Sequence, residues 1–448
     1  MSDARGTSTV AARGGVTVSR VVASEVCADM RSGDLLDASF ERRSHSFDAR
    51  DRRWTQELLW GMLRRRGWLD ALLDDRVRGG FARLDPDLQD LLRLGAYQLL
   101  FMGSVPAYAA IAQMVELAKR RHGIGASKLA NAVLRRLDRE RDDARVDPPR
   151  DPIDALAVTY SHPRWLVARW VSRWGAEETT RLLEVNNTEA PLIVRPVGIV
   201  REQLEATLES AGVHVEDAPL VHDSLLLAGG VSITELGAFR QGLFYVQDPA
   251  HTLVARYADV AAGSLVADLC AAPGGKALEL AHVARSVIAA DRSDARAKRM
   301  ISNVHRLDVK NLLILIADAR MPAIQPVDAV LIDVPCTGTG TFRRHPDARW
   351  RLRISDLAVM SALQRSILRE AATVVKPEGL LVYSTCSLEP EENDAQVESF
   401  LAEHPEFALE PPAAGAVPAE VLDAGRLRVL PQRHGADGAF AARMRRSA

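Results

Sequence analysis

Two cysteines follow apolar, strand-like runs in this chain, and each stands among residues that do not pack. Cys336 closes Ala329-Val330-Leu331-Ile332-Asp333-Val334-Pro335-Cys336, ahead of Thr337-Gly338-Thr339-Gly340. Cys386 closes Leu380-Leu381-Val382-Tyr383-Ser384-Thr385-Cys386, ahead of Ser387. Buried cysteine is usually inert, but a thiol flanked by Pro, Thr and Gly at a strand end is placed for chemistry. The chemistry these types suit is methylation of a pyrimidine carbon. Cytosine C5 is too weak a nucleophile to attack a methyl sulfonium unaided. A thiolate that adds at C6 makes C5 enamine-like, an acid near N3 stabilises the developing charge, and a base must remove the C5 proton so that the thiol can leave. Asp333, Cys336 and Cys386 supply the acid and two thiols. Residue type and spacing leave open which thiol attacks. Cys270 and Cys27 read as structural.

Upstream lies the turn Asp268-Leu269-Cys270-Ala271-Ala272-Pro273-Gly274-Gly275-Lys276. It lacks the Walker pattern and the spaced glycines of dinucleotide binders. Its paired glycines would let backbone approach a ligand. Asp291 ends the next strand-like run and can bind ribose hydroxyls; Asp318 ends the third and can accept from an adenine amino group. Singly each acid reads as a helix N-cap. At successive strand ends, without a phosphate cradle, they suit S-adenosyl-L-methionine better than a nucleotide.

The elements that must position these groups are legible as three blocks. Residues 1–15 read as a disordered tail. Residues 16–141 are helical throughout, with Leu58, Leu59, Met62 and Leu63, then Leu69, Leu72 and Leu73, at helical spacing; five to seven helices are expected. Residues 142–152, with Pro148, Pro149 and Pro152 among charges, read as a linker. Residues 153–262 carry a helix with Trp165, Trp170 and Trp174, more suited to a core than to base stacking, and then a small α+β module with strands at Leu192–Val194, Val213–Val215 and Leu225–Leu227. Residues 263–448 alternate strand and helix, which predicts a parallel, doubly wound sheet. Its strands are Leu265–Leu269, Ser286–Asp291, Leu312–Ala317, Ala329–Asp333 and Leu380–Thr385, and Leu427–Leu430 with Ala439–Met444 predict a closing hairpin.

No run approaches the ~20 apolar residues of a membrane span, and no secretory signal is read at the start. Four cysteines in 448 residues do not make a disulfide framework, so a cytoplasmic chain with reduced thiols is expected. Residues 1–150 hold 26 Lys/Arg against 21 Asp/Glu, and the remainder 31 against 38. That asymmetry permits a nucleic-acid partner without requiring one.

Taken together the motifs resemble the ribosomal RNA small-subunit methyltransferase B family, the cytosine-5 enzymes also called Sun or Fmu. The resemblance spans roughly Val16 to Met444. At the front it rests on Asp51-Arg52-Arg53-Trp54, Gly61-Met62-Leu63-Arg64, Leu92 to Leu100 and Asn131-Ala132-Val133-Leu134-Arg135. In the second half it rests on Gln247-Asp248, Ala271 to Lys276, Asp333-x-Pro335-Cys336, Arg343-Arg344-His345-Pro346-Asp347, Ser384 to Ser387, Pro390-Glu391-Glu392-Asn393 and Asp437-Gly438. It implies an all-α bundle like the antitermination factor NusB, a small α+β RNA-binding module and an α/β class I (Rossmann-like) methyltransferase domain. It also implies S-adenosyl-L-methionine as cofactor, held by Cys270, Ala271, Ala272, Pro273, Gly274, Gly275, Lys276, Asp291, Asp318 and Asp333. By the same resemblance Cys386 is the nucleophile and Cys336 assists product release; in the DNA cytosine-5 enzymes the Pro-Cys thiol attacks instead.

The chain departs from the family pattern at Lys376-Pro377-Glu378-Gly379, where Lys-Pro-Gly-Gly is usual, at His251, where a small polar residue is usual, at Arg195-Pro196 and at Ala439-Phe440. Arg343, Arg344 and His345 are expected to contact phosphates of small-subunit (16S) rRNA. The triplets Arg64-Arg65-Arg66 and Lys119-Arg120-Arg121 are further basic clusters, for which a solvated helix face is the default. A monomer without metal is expected. The alternatives are a transfer-RNA cytosine-5 methyltransferase and a non-catalytic rRNA-binding assembly factor.

Overall fold

A computed structural model describes residues 15–448 of the chain. The tail expected at residues 1–15 lies almost wholly outside them. The chain divides into two compact units: the described residues up to Asn187 together with His345–Arg351, and Thr188–Arg344 with Leu352–Ala448.

The first unit is all helical. Its helices are α1 (Val18–Arg31), α2 (Leu36–Ser44), α3 (Ala49–Arg64), α4 (Arg66–Asp74), α5 (Pro86–Phe101), α6 (Ala107–Arg139), α7 (Pro152–Thr159) and α8 (Arg164–Asn186). Three starts are written locally. Asp48, Asp85 and Asp151 each accept a first-turn amide, and Pro86 and Pro152 stand where a missing N–H costs nothing. The apolar faces foreseen at Leu58, Leu59, Met62, Leu69, Leu72 and Leu73 are fully enclosed. The first compact unit runs past the expected linker at 142–152, as far as Asn187. α7 and α8 group with the bundle, and the Trp68 amide donates to Ser161 Oγ at 2.9 Å. Of the three tryptophans in α8, Trp170 is core, at 1% exposure.

The segment His345–Arg351 joins this unit from far along the chain. Arg349 is fully buried and donates to Asn187 Oδ1 at 2.7 Å and to the Asn186 carbonyl at 2.8 Å. Trp350 Nε1 donates to the Leu63 carbonyl at 2.9 Å.

The second unit begins with a four-stranded antiparallel sheet, order β2-β3-β1-β4, from β1 (Leu192–Pro196), β2 (Val215–Asp217), β3 (Leu225–Leu227) and β4 (Phe244–Val246). β4 had no strand signal beyond a short apolar run. A nine-stranded sheet follows. Its parallel part is β7-β6-β5-β8-β9, from β5 (Leu265–Asp268), β6 (Ser286–Asp291), β7 (Leu312–Ile316), β8 (Val327–Asp333) and β9 (Val375–Thr385). The expected hairpin forms from β12 (Arg426–Val429) and β13 (Ala439–Arg446), with β11 (Leu422–Asp423) and β10 (Phe407–Leu409) beside it. β13 runs antiparallel to β9, so the sheet is mixed rather than wholly parallel. Glu378, where the family carries glycine, sits at φ +61°, a left-handed conformation that L side chains disfavour.

Candidate active site

Strand order and register assemble the site. β6 lies on one side of β5 and β8 on the other, which opens a crevice beyond their carboxyl ends. Asp268 ends β5, Asp291 ends β6 and Asp333 ends β8. β8 and β9 pair in parallel with Asp333 opposite Ser384. Cys336 and Cys386 therefore leave neighbouring strands at the same level, and their sulfurs lie 3.3 Å apart.

A buried carboxylate holds both cysteine loops. Glu392 Oε1 accepts from the Thr337 amide and from Gln364 Nε2, each at 2.9 Å. Its Oε2 accepts from Ser387 Oγ at 2.5 Å and from the Thr337 hydroxyl. Thr337 follows one cysteine and Ser387 follows the other. Two glycines seal this contact. The Gly340 amide donates to the Cys386 carbonyl at 3.0 Å, and a Cβ on Gly340 would fall 2.6 Å from Gly438 Cα. In the sequence Glu392, Gly340 and Gly438 stand only as parts of motifs; their work depends on residues from about 50 (Glu392 and Thr337) to almost 100 positions away (Gly340 and Gly438).

Asp333 is an ion-paired carboxylate. Its Oδ2 accepts from Lys276 Nζ at 2.6 Å and its Oδ1 from Ser384 Oγ at 2.8 Å. Burial opposes its ionisation, but Lys276 and His251 outweigh burial and hold it below the usual carboxylate range. The neutral acid expected near N3 is thus replaced by a Lys276–Asp333 pair. His251 Nδ1 lies 3.0 Å from the same ammonium. Lys276 and burial push the imidazole down to about 4, so it is neutral and accepts. The hydrogen bond to Cys386, then burial, raises the Cys336 thiol well above its ordinary value, and either sulfur of the pair can donate to the other.

The cofactor residues divide. Asp291 is 3% exposed; its carboxylate accepts from the Ser293 amide at 2.9 Å and the Ala272 amide at 3.3 Å, tying β6 to the Gly-rich turn. Asp318 is met by its neighbour Arg320 at 2.6 Å. Gly274 and Gly275 face protein where side chains would go. A Cβ on Gly274 would lie 3.0 Å from Met300 Cγ, and one on Gly275 2.9 Å from Tyr245 Cε1. Their smallness lets the turn seat against its neighbours, a reason the ligand-approach argument did not contain. Burial, then Asp268, push the Cys270 thiol far above its ordinary value, and it is unreactive. Asp268, given no role in the sequence reading, is 1% exposed with Oδ2 unpaired, and burial raises its carboxyl to about 7. An unmet buried oxygen beside this turn fits a ligand that donates there.

Arg343 and Arg344, expected to meet phosphates, face carboxylates instead. Arg344 pairs with Asp248 at 2.5 Å and Asp437 at 2.6 Å. Arg343 is 7% exposed, with its guanidinium 3.5 Å from Asp437 and 3.3 Å from the Gly435 carbonyl. Asp248, one of the two acids, also accepts from the Ala250 amide at the start of the helix that carries His251. His345 belongs to the helical unit, where Nδ1 lies 2.8 Å from Asp37 Oδ2.

Comparison with known proteins assigns the same parts. Residues 258–445 match the family model of the 16S rRNA methyltransferase RsmB/F, residues 17–139 that of the NusB family, and residues 162–234 a ferredoxin-like domain of RsmF/B-like methyltransferases. A probable ribosomal RNA small subunit methyltransferase B of Synechocystis is 33% identical over 431 residues, covering 93% of this chain and 96% of its own. The Vibrio cholerae ribosomal RNA small subunit methyltransferase B is 33% identical over 91% of this chain and 92% of its own. The chain belongs to the RsmB/F family of 16S rRNA methyltransferases. A solved structure, that of PH0851, superposes with a TM-score of 0.80 at 28% identity, over 95% of this chain and 98% of that one. Among RsmB/F proteins this chain is therefore one that carries the whole three-part architecture, and it is an S-adenosyl-L-methionine-dependent methyltransferase. No helix among the described residues is long and apolar enough to cross a membrane.

Proposed function

We propose that the protein methylates C5 of a cytosine in small-subunit (16S) rRNA through a covalent bond between Cys386 and C6 of the base. The observation that carries this reading is the pair of sulfurs 3.3 Å apart at the ends of adjacent strands, beside the Lys276–Asp333 ion pair. One thiol alone could attack; two side by side can share attack and release.

The Gly-rich turn, Asp268 and Asp291 would hold the cofactor, which supplies an electrophilic methyl group on a sulfonium. The rest falls to the chain's own side chains. The target base leaves its stack, at a cost of a few kcal/mol, and Asp333 accepts from its amino edge. Cys386, as the thiolate, adds to C6. Lys276 carries the proton that N3 takes up as charge develops, and C5 becomes nucleophilic toward the methyl group. A base then removes the C5 proton, the C6–S bond breaks with Cys386 leaving as thiolate, and N3 returns its proton to Lys276. Cys336, held protonated, donates to the departing sulfur. The raised Cys336 thiol supports its role as the protonated partner at release.

The test separates the two cysteines. Cys386→Ala should abolish methylation and form no adduct with rRNA. Cys336→Ala should still attack and transfer, and then accumulate a protein–RNA adduct that survives a denaturing gel. An adduct with Cys386→Ala and none with Cys336→Ala would reverse the roles.

A further inference from the structure

The helical unit contains a cavity of about 240 Å³ that the methyl-transfer site does not use. Its wall carries four guanidiniums, Arg31, Arg66, Arg93 and Arg351, against two carboxylates, Asp90 and Asp347. Three of the four are matched. Arg93 is bound by Asp70 at 2.6 Å and Asp90 at 2.8 Å. Arg31 is held by Asp87 at 2.7 Å and by Asp90. Arg351 pairs with Asp347 at 2.9 Å. Arg66 is the one of the four without a direct partner: among the described residues it has neither a hydrogen bond nor a close ion pair, and burial, then Arg93, lower its guanidinium against the pull of Asp70 and Asp90. Its guanidinium carbon instead lies 5.4 Å from the centre of the Trp350 ring. That contact leaves its five donors without acceptors. Arg31 and Arg351, with side chains 32% and 39% exposed, keep the mouth open to solvent.

A partly desolvated guanidinium whose donors are all open, in a small cavity, suits one anionic group with planar-fork acceptors. A phosphodiester has that charge and that geometry. The volume is below the ~300–1,000 Å³ of pockets for drug-sized ligands, so the cavity suits a phosphate with its adjoining sugar atoms rather than a second cofactor. Of the two basic triplets in the sequence, only Arg64-Arg65-Arg66 reaches this wall.

We propose that this cavity binds one phosphodiester of the RNA substrate, with Arg66 as the principal contact and Arg31 and Arg351 at the mouth. The inference rests on the rRNA reading above and locates where the helical unit takes hold.

The experiment uses the full-length protein and an unmethylated small-subunit rRNA fragment, with binding followed by fluorescence anisotropy over a range of salt concentrations. Arg66→Gln should weaken binding about tenfold, as loss of one charge-assisted contact of ~1.4 kcal/mol does. The slope of log K against log salt should fall by about 0.7–0.9, the signature of one phosphate. Arg66→Lys should keep the slope and lose less affinity, and Arg351→Gln should weaken binding in the same direction should Arg66→Gln fail to fold. S-adenosyl-L-methionine affinity by calorimetry should not change. Unaltered RNA affinity and salt slope in a folded Arg66→Gln protein overturn the proposal. If the parent protein binds no rRNA, the functional reading falls first, and titration with inorganic phosphate by phosphorus NMR decides the cavity. Phosphate binding that disappears in Arg66→Gln would then mean a free-phosphate site, and no phosphate binding would mean no anion site; either overturns the RNA contact.

Discussion

Glu392→Ala tests whether one buried carboxylate supports both thiols. Glu392 is 0% exposed and accepts from four donors. Alanine would strand two that cannot turn away, the Thr337 amide and the Gln364 amide hydrogen aimed at Oε1. The Thr337 and Ser387 hydroxyls, 3.2 Å apart, can bond each other instead. At ~1–3 kcal/mol for each stranded donor, the loss is roughly 2–6 kcal/mol, and the vacated space adds a cavity term. Glutamine keeps a carbonyl for the two N–H groups and offers its NH₂ to the hydroxyls, which reverse direction. It should cost only about 1 kcal/mol. The assay is urea denaturation of the full chain, following the transition of the methyltransferase domain, with methyl transfer to rRNA measured in parallel. Activity should fall further than stability in Glu392→Ala, because Cys336 and Cys386 lose their common anchor. An alanine variant within ~0.5 kcal/mol of the parent, or a glutamine variant as damaged as the alanine one, would refute the reasoning.

Asp268→Asn should have opposite effects on stability and binding. The folded carboxyl titrates near 7 against 3.8 as its ordinary value, so the folded state binds the proton more tightly and loses stability as pH rises from about 4 through about 7, by up to ~4 kcal/mol. The asparagine variant should lack that loss in melts at pH 5 and pH 8, yet bind S-adenosyl-L-methionine ~1–3 kcal/mol more weakly by calorimetry; unchanged affinity would remove Asp268 from the cofactor site. His251 titrates near 4 against 6.5, so here the unfolded state binds the proton more tightly, and stability should fall as pH drops from 6.5 to 4, on the order of 3 kcal/mol. His251→Asn should flatten that part of the stability–pH curve, and an unchanged curve would show that the imidazole is not held neutral.

Much of the architecture is written in local sequence. The helical faces of residues 16–141, the Asp-Pro starts of α5 and α7, and the five parallel strands are set by periodicity and capping, interactions that reach a few residues at most. The site's chemical types are written there too, because a thiol after a strand and an acid at a strand end are short patterns. What the sequence alone could not determine is who partners whom. Arg343 and Arg344 read as phosphate ligands until Asp248 and Asp437, about 95 residues away on either side, neutralise them. Asp333 reads as an acid until Lys276 ionises it, and Cys336 and Cys386 read as separate thiols until their sulfurs meet. Arg66 and Arg64 look alike in a basic triplet, and only packing sets Arg66 against the ring of the late-arriving Trp350 with its donors open. Charge state, acidity and ligand readiness depend on burial and on neighbours distant in the chain, and those come into being only when the tertiary structure closes around them.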